Sequence, residues 1–280
     1  MSTPTMQNLS PTELQTFARS VQHAQDSGLQ IAPFTAQHPG FDLDTGYSVA
    51  HMLHQARLAE GARSVGRKIG FTNSALWSRF NVYAPVWGHV YDRTVVRLPE
   101  QKAVCSLERF VNPKIEPEIV LHFRSAPPAG GDLAAILDCV DWVAHAFEIV
   151  HCHFPDWKFQ APDAVADGAL HATLLLGQPQ PVVQLGSDPL QALASFAIDL
   201  LCDGQLRERG AGRNVLGNPV AAIAHLVDVL VRQSQYAPLQ ADELVTTGTL
   251  TQAFTVCPGE TWRTDLHGIA LPGLSVTFTD

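Results

Sequence analysis

The chain is poor in charge and in sulfur. Asp, Glu, Lys and Arg make up 16% of its 280 residues, and 18 basic against 27 acidic side chains leave a net charge of −9. No basic cluster offsets that deficit, so neither nucleic acid nor an anionic membrane surface is an expected partner. The five cysteines (Cys105, Cys139, Cys152, Cys202, Cys257) are scattered and form no CxxC pair. That excludes a disulfide framework and a Cys-based zinc site, and points to a reducing, cytoplasmic compartment. Long hydrophobic runs are missing too. None approaches the roughly 18 residues needed to span a bilayer, and the opening MSTPTMQNLS lacks the charged-then-apolar pattern of a signal peptide. There is no GxSxG, no HExxH, no internal repeat and no low-complexity tract.

What is present is enough apolar residue, 46%, to bury about three quarters of the unfolded surface. Ser10-Pro11-Thr12-Glu13 reads as a helix start, with Ser10 as cap, Pro11 in the first turn and Glu13 closing a capping box. A second helix is expected from about Gly46 to Glu60, stopping at Gly61. VGRKIGFT (65–72) is strand-like. GDLAAILDCVDWVAHA (131–146) reads as a helix running into a strand, AFEIVHCHF. Residues 196–210 read as a hairpin turned by Asp203-Gly204. NPVAAIAHLVDVLVRQ is a helix capped by Asn218, with Val220, Ile223, Leu226, Val227 and Leu230 as its apolar stripe. Strands close the chain. The expected class is α+β: an N-terminal helical α/β part over 1–100, then a β-rich domain over 101–280.

The stretch PKIEPEIVLHF (113–123) raises the chemical question. Side chains alternate along a strand, so Glu116, Glu118, Val120 and His122 share one face, opposite Ile115, Pro117, Ile119, Leu121 and Phe123. The two carboxylates then lie roughly 7 Å apart on one side, and each raises the pKa of the other unless a cation intervenes. Pro117 removes a backbone donor and suggests an edge strand or a bulge. Glu148, in the apolar AFEIV, is a third carboxylate on a segment expected to be buried. Three such groups suit a hard divalent cation, Mg²⁺ or Mn²⁺. From the pattern alone, a solvated Glu116/Glu118 face with Glu148 paired to an arginine stands as an equal reading.

Other candidates carry less. His151 and His153 share a strand face and would offer two imidazoles to zinc, although polar residues at a strand end explain them as well. Lys68, between Gly66-Arg67 and Ile69-Gly70, could bind a carboxylate or move a proton. GAGRNVLGNP is not a dinucleotide fingerprint, and Thr246-Thr247-Gly248-Thr249 is a threonine-rich strand end whose hydroxyls and amides could hold a carboxylate or simply be β-formers.

In order along the chain stand GRKIGFT, PVWG…YD, PKIEPEIVL, FEIV…DWKF…PDAVAD, VLGNP and TTGTLT. Over about residues 45–280 this set resembles the hydratase/decarboxylase branch of the fumarylacetoacetate hydrolase superfamily. That branch holds 2-keto-4-pentenoate hydratases and 2-oxo-3-hexenedioate (4-oxalocrotonate) decarboxylases. The resemblance implies a mixed β-roll with a smaller N-terminal α/β part, and a homo-oligomer. It places Glu116, Glu118 and Glu148 on three ligands for Mg²⁺ or Mn²⁺, and Lys68 on the active-site lysine. Asp167 falls on an acidic position in the segment that closes over the site, and Thr249 where the substrate carboxylate is held.

Departures matter as much. Hydratases of the branch commonly read Pro-Asp-Phe-Gly where this chain has Pro85-Val86-Trp87-Gly88, so a proposed proton-transfer aspartate is missing. Val86-Trp87 and Asp156-Trp157-Lys158-Phe159 are closer to the decarboxylases. Asp167-Gly168 replaces Asp-Asn, followed by Leu170-His171 in place of small polar residues. The implied chemistry is a metal-stabilised dienolate of a 2-oxo acid, a small-molecule substrate. The resemblance implies first a 2-keto-4-pentenoate-type hydratase, then a 2-oxo-3-hexenedioate-type decarboxylase or an acylpyruvate hydrolase, and last a non-catalytic binding homologue. Asp167 and the nearby histidines are the candidates for proton transfer.

Overall fold

The computed structural model describes residues 9–74, 77 and 82–280. Helix α1 (Pro11–Ser27) starts at the expected capping box and ends on Gly28 in the left-handed region. The short α2 (Phe34–Gln37) and α3 (Leu43–Ala59) follow, the latter capped by Asp42. Phe17, Val21, Phe34, Phe41 and Leu53 form a separate apolar cluster that also takes in Ala166.

The strands then come in succession: β1 (Ser64–Gly70), β2 (Val86–Tyr91), β3 (Val95–Arg97), β4 (Lys102–Ser106) and β5 (Lys114–Phe123). Helix α4 (Leu133–Leu137), β6 (Val140–Val150), α5 (Ala161–Ala166), β7 (His171–Leu176) and β8 (Gln180–Pro181) follow. Next are α6 (Pro189–Ser195), β9 (Ala197–Cys202), β10 (Gln205–Ala211) and α7 (Pro219–Arg232). The chain closes with β11 (Leu244–Thr249), β12 (Phe254–Thr255), β13 (Thr261–His267) and β14 (Ser275–Thr279).

Among the described residues these strands make two sheets. The larger has the order β2-β1-β11-β5-β6-β7-β3, with β12 also on β5 and β8 on β6; the smaller has the order β10-β9-β13-β14-β4. Strands from before residue 100 are thus hydrogen-bonded into the same sheet as strands from after it. Ile115, Phe147 and Ile149 of the larger sheet pack on Leu200, Trp262 and Phe278 of the smaller. Further along the same strand, Ile119, Leu121 and Phe123 join the apolar stripe of α7. Each of these side chains gains about 1.5–3 kcal/mol by leaving water, and this anchors β5 and β6 at the centre of the molecule.

Two expectations need correction. The helix expected over 131–146 lasts only from Leu133 to Leu137; β6 begins at Val140 because the β-branched, alternating residues that follow pair along the full length of β5. Pro117 is neither on an edge nor in a bulge. It sits opposite Phe147 in unbroken register in a central strand, and the irregularity lies on the neighbouring β11, between Thr246 and Thr249. By length and composition the helical stretch Gly212–Arg232 could cross a membrane, although Arg213, Asn214, Asn218 and Asp228 break it into short apolar runs. Half of that stretch is buried inside the fold, against the core just described.

The seam between α3 and β2 carries a pair of stacked imidazoles, His54 and His89, with ring centroids 3.6 Å apart and planes 5° from parallel. Burial, reinforced by the Arg67 charge, pushes His54 down to about 4 and His89 lower still. The unfolded chain, with ordinary histidines near 6.5, binds more protons than the native state below that value. The stability that this pair contributes is therefore expected to be complete above about pH 6.5 and to decline as the pH falls toward 4. Urea unfolding at pH 7.5, 6, 5 and 4 checks this, and His89→Phe should flatten the slope. A profile that His89→Phe leaves unchanged contradicts it.

Candidate active site

The centre of the large sheet gathers the carboxylates. β5 and β6 pair antiparallel with Glu116 directly opposite Glu148, and Glu118 two residues further on. Like charges directly opposite are unfavourable in a sheet, yet one oxygen from each of Glu116, Glu118 and Glu148 lies within 4.8 Å of the others. Glu118 and Glu148 are fully buried, and Glu116 is half-buried at the rim of a cavity.

Each carboxylate is held differently. Lys68, from β1, sets its Nζ 3.1 Å from Glu148 Oε2 and donates to Ala169 O at 2.9 Å. His171, the first residue of β7, places Nδ1 2.7 Å from Glu148 Oε1, and its Nε2 meets Thr94 Oγ1 at 2.8 Å. Glu118 Oε2 accepts from the Thr246 hydroxyl and from the Gly248 amide, the latter at 2.9 Å. The irregularity in β11 is what aims that amide inward. Gly248 has φ 102°, and a Cβ there would fall 1.8 Å from Thr72 Oγ1, so only glycine fits. From the other side His145 Nδ1 meets the Glu118 carbonyl at 2.9 Å and Nε2 meets Thr264 Oγ1.

The charges do not balance. Burial alone would strip the proton from Lys68, but Glu148, Glu116 and Glu118 outweigh it and hold the ammonium above its ordinary value. Burial also raises Glu148, but Lys68 and His171 more than reverse this and keep it low. Glu118 is driven far upward by burial and by repulsion from Glu148 and Glu116, and burial takes Glu116 up to about 7. One ammonium thus supports one full carboxylate, and the other two lean toward their neutral forms. Two buried oxygens, Glu118 Oε1 and Glu148 Oε2, have no hydrogen-bond partner, the second having only its ion-pair contact with Lys68. Uncompensated buried carboxylate oxygens are costly. A three-oxygen set with this deficit of positive charge has the chemistry of a hard-cation site.

A cavity of ≈ 60 Å³ opens from Glu116 and Lys68. Thr249 and Thr72 line it, and Thr72 Oγ1 is buried without a hydrogen-bond partner. Gly70 forms part of the floor: a Cβ there would sit 3.6 Å from Lys68 Nζ and 3.8 Å from Val86 Cγ2. Val86 is buried beside Gly70 and is not among the residues that line the cavity.

Other predicted residues lie elsewhere. Asp167 caps α5 in full burial, with its carboxylate 2.8 Å from His153 Nδ1 and accepting from Gln25 Nε2 at 3.0 Å. It ties α1 to the core and does not line the cavity. His151 and His153 follow the end of β6, with ring centroids 4.3 Å apart. The Glu116/Glu118/Glu148 set is the group of possible metal ligands among the described residues, so the two histidines do not assemble a zinc site there. They stand instead near a larger hollow of ≈ 540 Å³, lined by His151, Trp87, Arg57 and His171, behind the segment 168–171. His171 and Thr72 were not given these roles by the sequence, whereas the hydroxyls and amides of Thr246–Thr249 were candidates to hold a carboxylate, as Thr246 and Gly248 do. The threonine-rich TTGT was visible, but its partner Glu118 is 128 residues away.

No protein-family model matches the chain. A 2-keto-4-pentenoate hydratase of Burkholderia vietnamiensis is 32% identical over 264 residues, covering 94% of this chain and 96% of that protein. A 4-oxalocrotonate decarboxylase of a Pseudomonas species is 27% identical over 229 residues, covering 82% of this chain and 85% of that protein. Among solved structures, 4-oxalocrotonate decarboxylase from Pseudomonas putida G7, complexed with magnesium and adipate, superposes with a TM-score of 0.87 at 24% identity, covering 97% of this chain and 99% of that one. That likeness establishes the fold.

The Lys68–Glu148 contact gives a prediction. At an effective dielectric near 20 the pair attracts by about 5 kcal/mol, against a desolvation penalty of several kcal/mol per ion. The pair therefore adds little net stability, but losing one partner strands the other. Lys68→Met is expected to destabilise the metal-free protein by about 3 kcal/mol. Denaturant unfolding after chelation measures it; a loss smaller than about 1 kcal/mol contradicts the charge balance described above.

Proposed function

The chain belongs to the hydratase/decarboxylase branch of the fumarylacetoacetate hydrolase superfamily, and from that membership we propose that it is a divalent-metal-dependent lyase of unsaturated 2-oxo or 2-hydroxy carboxylic acids. The first assignment is hydration of a 2-hydroxy-dienoate, the reaction class of the 2-keto-4-pentenoate hydratases it resembles. The observation that carries the proposal is the convergence of Glu116, Glu118 and Glu148 beside Lys68, with two carboxylate oxygens lacking hydrogen bonds.

Glu116, Glu118 and Glu148 would hold Mg²⁺ or Mn²⁺. When bound, the cation supplies positive charge to stabilise the negative charge that develops on the 2-oxo oxygen. The protein's own groups do the rest. Thr246, Gly248 and His171 fix the carboxylates that would be ligands, so their geometry is set before substrate arrives. Thr249 and the unpartnered Thr72 hydroxyl face the cavity and can hold the substrate carboxylate. Lys68, charged and buried, is placed to support that carboxylate or to move a proton at the reacting end. Asp167, sealed against His153 and Gln25, acts through position: it anchors α1 and the segment leading to Ala169, whose carbonyl Lys68 grips. We further propose a cytoplasmic homo-oligomer; the reading draws on the resemblance and on five cysteines that are all free.

A specific observation favours decarboxylation as a second reading. Val86, buried beside Gly70, stands at the position where the resemblance has hydratases commonly carrying aspartate. The test offers the Mn²⁺-loaded protein 2-hydroxypenta-2,4-dienoate and 2-oxo-3-hexenedioate in parallel. Loss of dienol absorbance without CO₂ release is the expected result, abolished in Glu148→Gln. CO₂ release from the second compound moves the assignment to decarboxylase, and inactivity on both removes the lyase reading.

A further inference from the structure

The hollow of ≈ 540 Å³ behind the segment 168–171 is not used by the proposed function. Its volume falls within the roughly 300–1,000 Å³ of small-molecule sites. Among the described residues it shares no lining side chain with the cavity beside the carboxylates. Arg57, Arg93 and Arg109 line it, and the acid among its described lining residues is Asp26. That reverses the balance of the whole chain, which has 18 basic side chains against 27 acidic ones.

A run of contacts joins one side of the hollow into a continuous wall. Phe110, next to Arg109 in sequence, sets its ring edge-on to the His151 imidazole, with centroids 5.8 Å apart. The His151 amide donates to Leu170 O at 3.0 Å, which brings it beside His171. His171 Nε2 meets Thr94 Oγ1 at 2.8 Å, and Arg93 precedes Thr94. Arg93 Nη2 and Arg57 Nη1 then reach the same oxygen, Glu60 Oε2, at 3.3 and 3.1 Å. Arg109 and Arg93 therefore stand toward the two ends of this run, with His151 and His171 between them.

This wall has donors to spare. Arg57 is a fixed charge: it meets Asp26 at 2.7 Å and also holds Glu60 and Gln25 Oε1. The Arg93 guanidinium makes the one contact of 3.3 Å to Glu60. Arg109 is exposed and has no hydrogen bond or ion pair among the described residues. The two acids are thus taken up by Arg57 and Arg93, and the Arg109 charge is left over. His151 is only 6% exposed, yet its Nδ1 has no hydrogen-bond partner. A buried polar nitrogen left unpaired is costly, and an acceptor that reaches it removes the cost. An oxyanion accepts from guanidinium forks and from an imidazole N–H alike. A cation or an apolar guest would gain from neither.

We infer that the hollow is a second binding site, for a small oxyanion (a carboxylate or a phosphate) held by Arg93, Arg109 and the His151 imidazole. It is separate from the carboxylate cluster and does not depend on the lyase reading.

Metal-stripped protein isolates this site in the test, because the bare carboxylate cluster repels anions. The protein is titrated calorimetrically with pyrophosphate and, separately, with succinate, at constant ionic strength. Saturable binding of at least one of them, one per chain, is expected, and the tighter of the two tells phosphate from carboxylate. Arg109→Ala is expected to weaken it about tenfold, the loss of one charge-assisted contact. Arg109 makes no contact the fold needs, so this variant should keep the melting temperature of the unmodified protein. Arg263→Ala, which removes an exposed arginine paired with Asp265 on β13, is expected to leave the affinity unchanged. Absence of saturable binding of both anions overturns the inference. So does an affinity that Arg109→Ala leaves unchanged, or one that Arg263→Ala weakens equally, since either result means general attraction to the surface.

Discussion

The Lys68 ammonium and the Glu148 carboxylate meet 3.1 Å apart in a space closed to water, and two further carboxylates share it. A single buried pair of this kind is close to neutral for stability. The surplus is what constrains the surrounding structure. Glu116 and Glu118 lean toward protonation for want of a counter-charge. A hydroxyl and an amide from β11 and an imidazole from β7 are drawn in to hold the group in place. The irregular end of β11, the glycine at 248 and the histidine at 171 all follow from needing donors at those points.

The same constraint accounts for the choice of strands. Placing three carboxylates within a few ångströms needs a scaffold that mutual repulsion cannot open. β5 and β6 provide it because they are central in the large sheet and their apolar faces are packed on the smaller sheet and on α7. The adjoining cavity is lined by Glu116, Lys68, Thr72 and Thr249 together with the rings of Phe71, Trp157 and Phe159.

Much of this was legible in the sequence. Alternation alone put Glu116 and Glu118 on one face of a strand, and the apolar neighbours of Glu148 marked it as buried. Local rules also found α1, the Asp203-Gly204 hairpin and α7, since caps and turns are encoded within a few residues. What escaped depends on register and on partners distant in the chain. That Glu148 faces Glu116, and not a neighbour two residues along, is decided by the whole β5–β6 ladder. The roles of Thr246 and His171 exist only once three strands are side by side. Pro117 misled for the same reason: its missing amide suggested an edge, yet it sits in a continuous central pairing. Asp167 was expected near the reacting groups, and its position between His153 and Gln25 follows from how α1 docks.

The central claim is that the three carboxylates form one divalent-cation site. Anomalous diffraction from crystals soaked in Mn²⁺ tests it most directly. The account predicts a single strong peak bounded by oxygens of Glu116, Glu118 and Glu148. A peak at His151 and His153, or none within reach of the three glutamates, would contradict it.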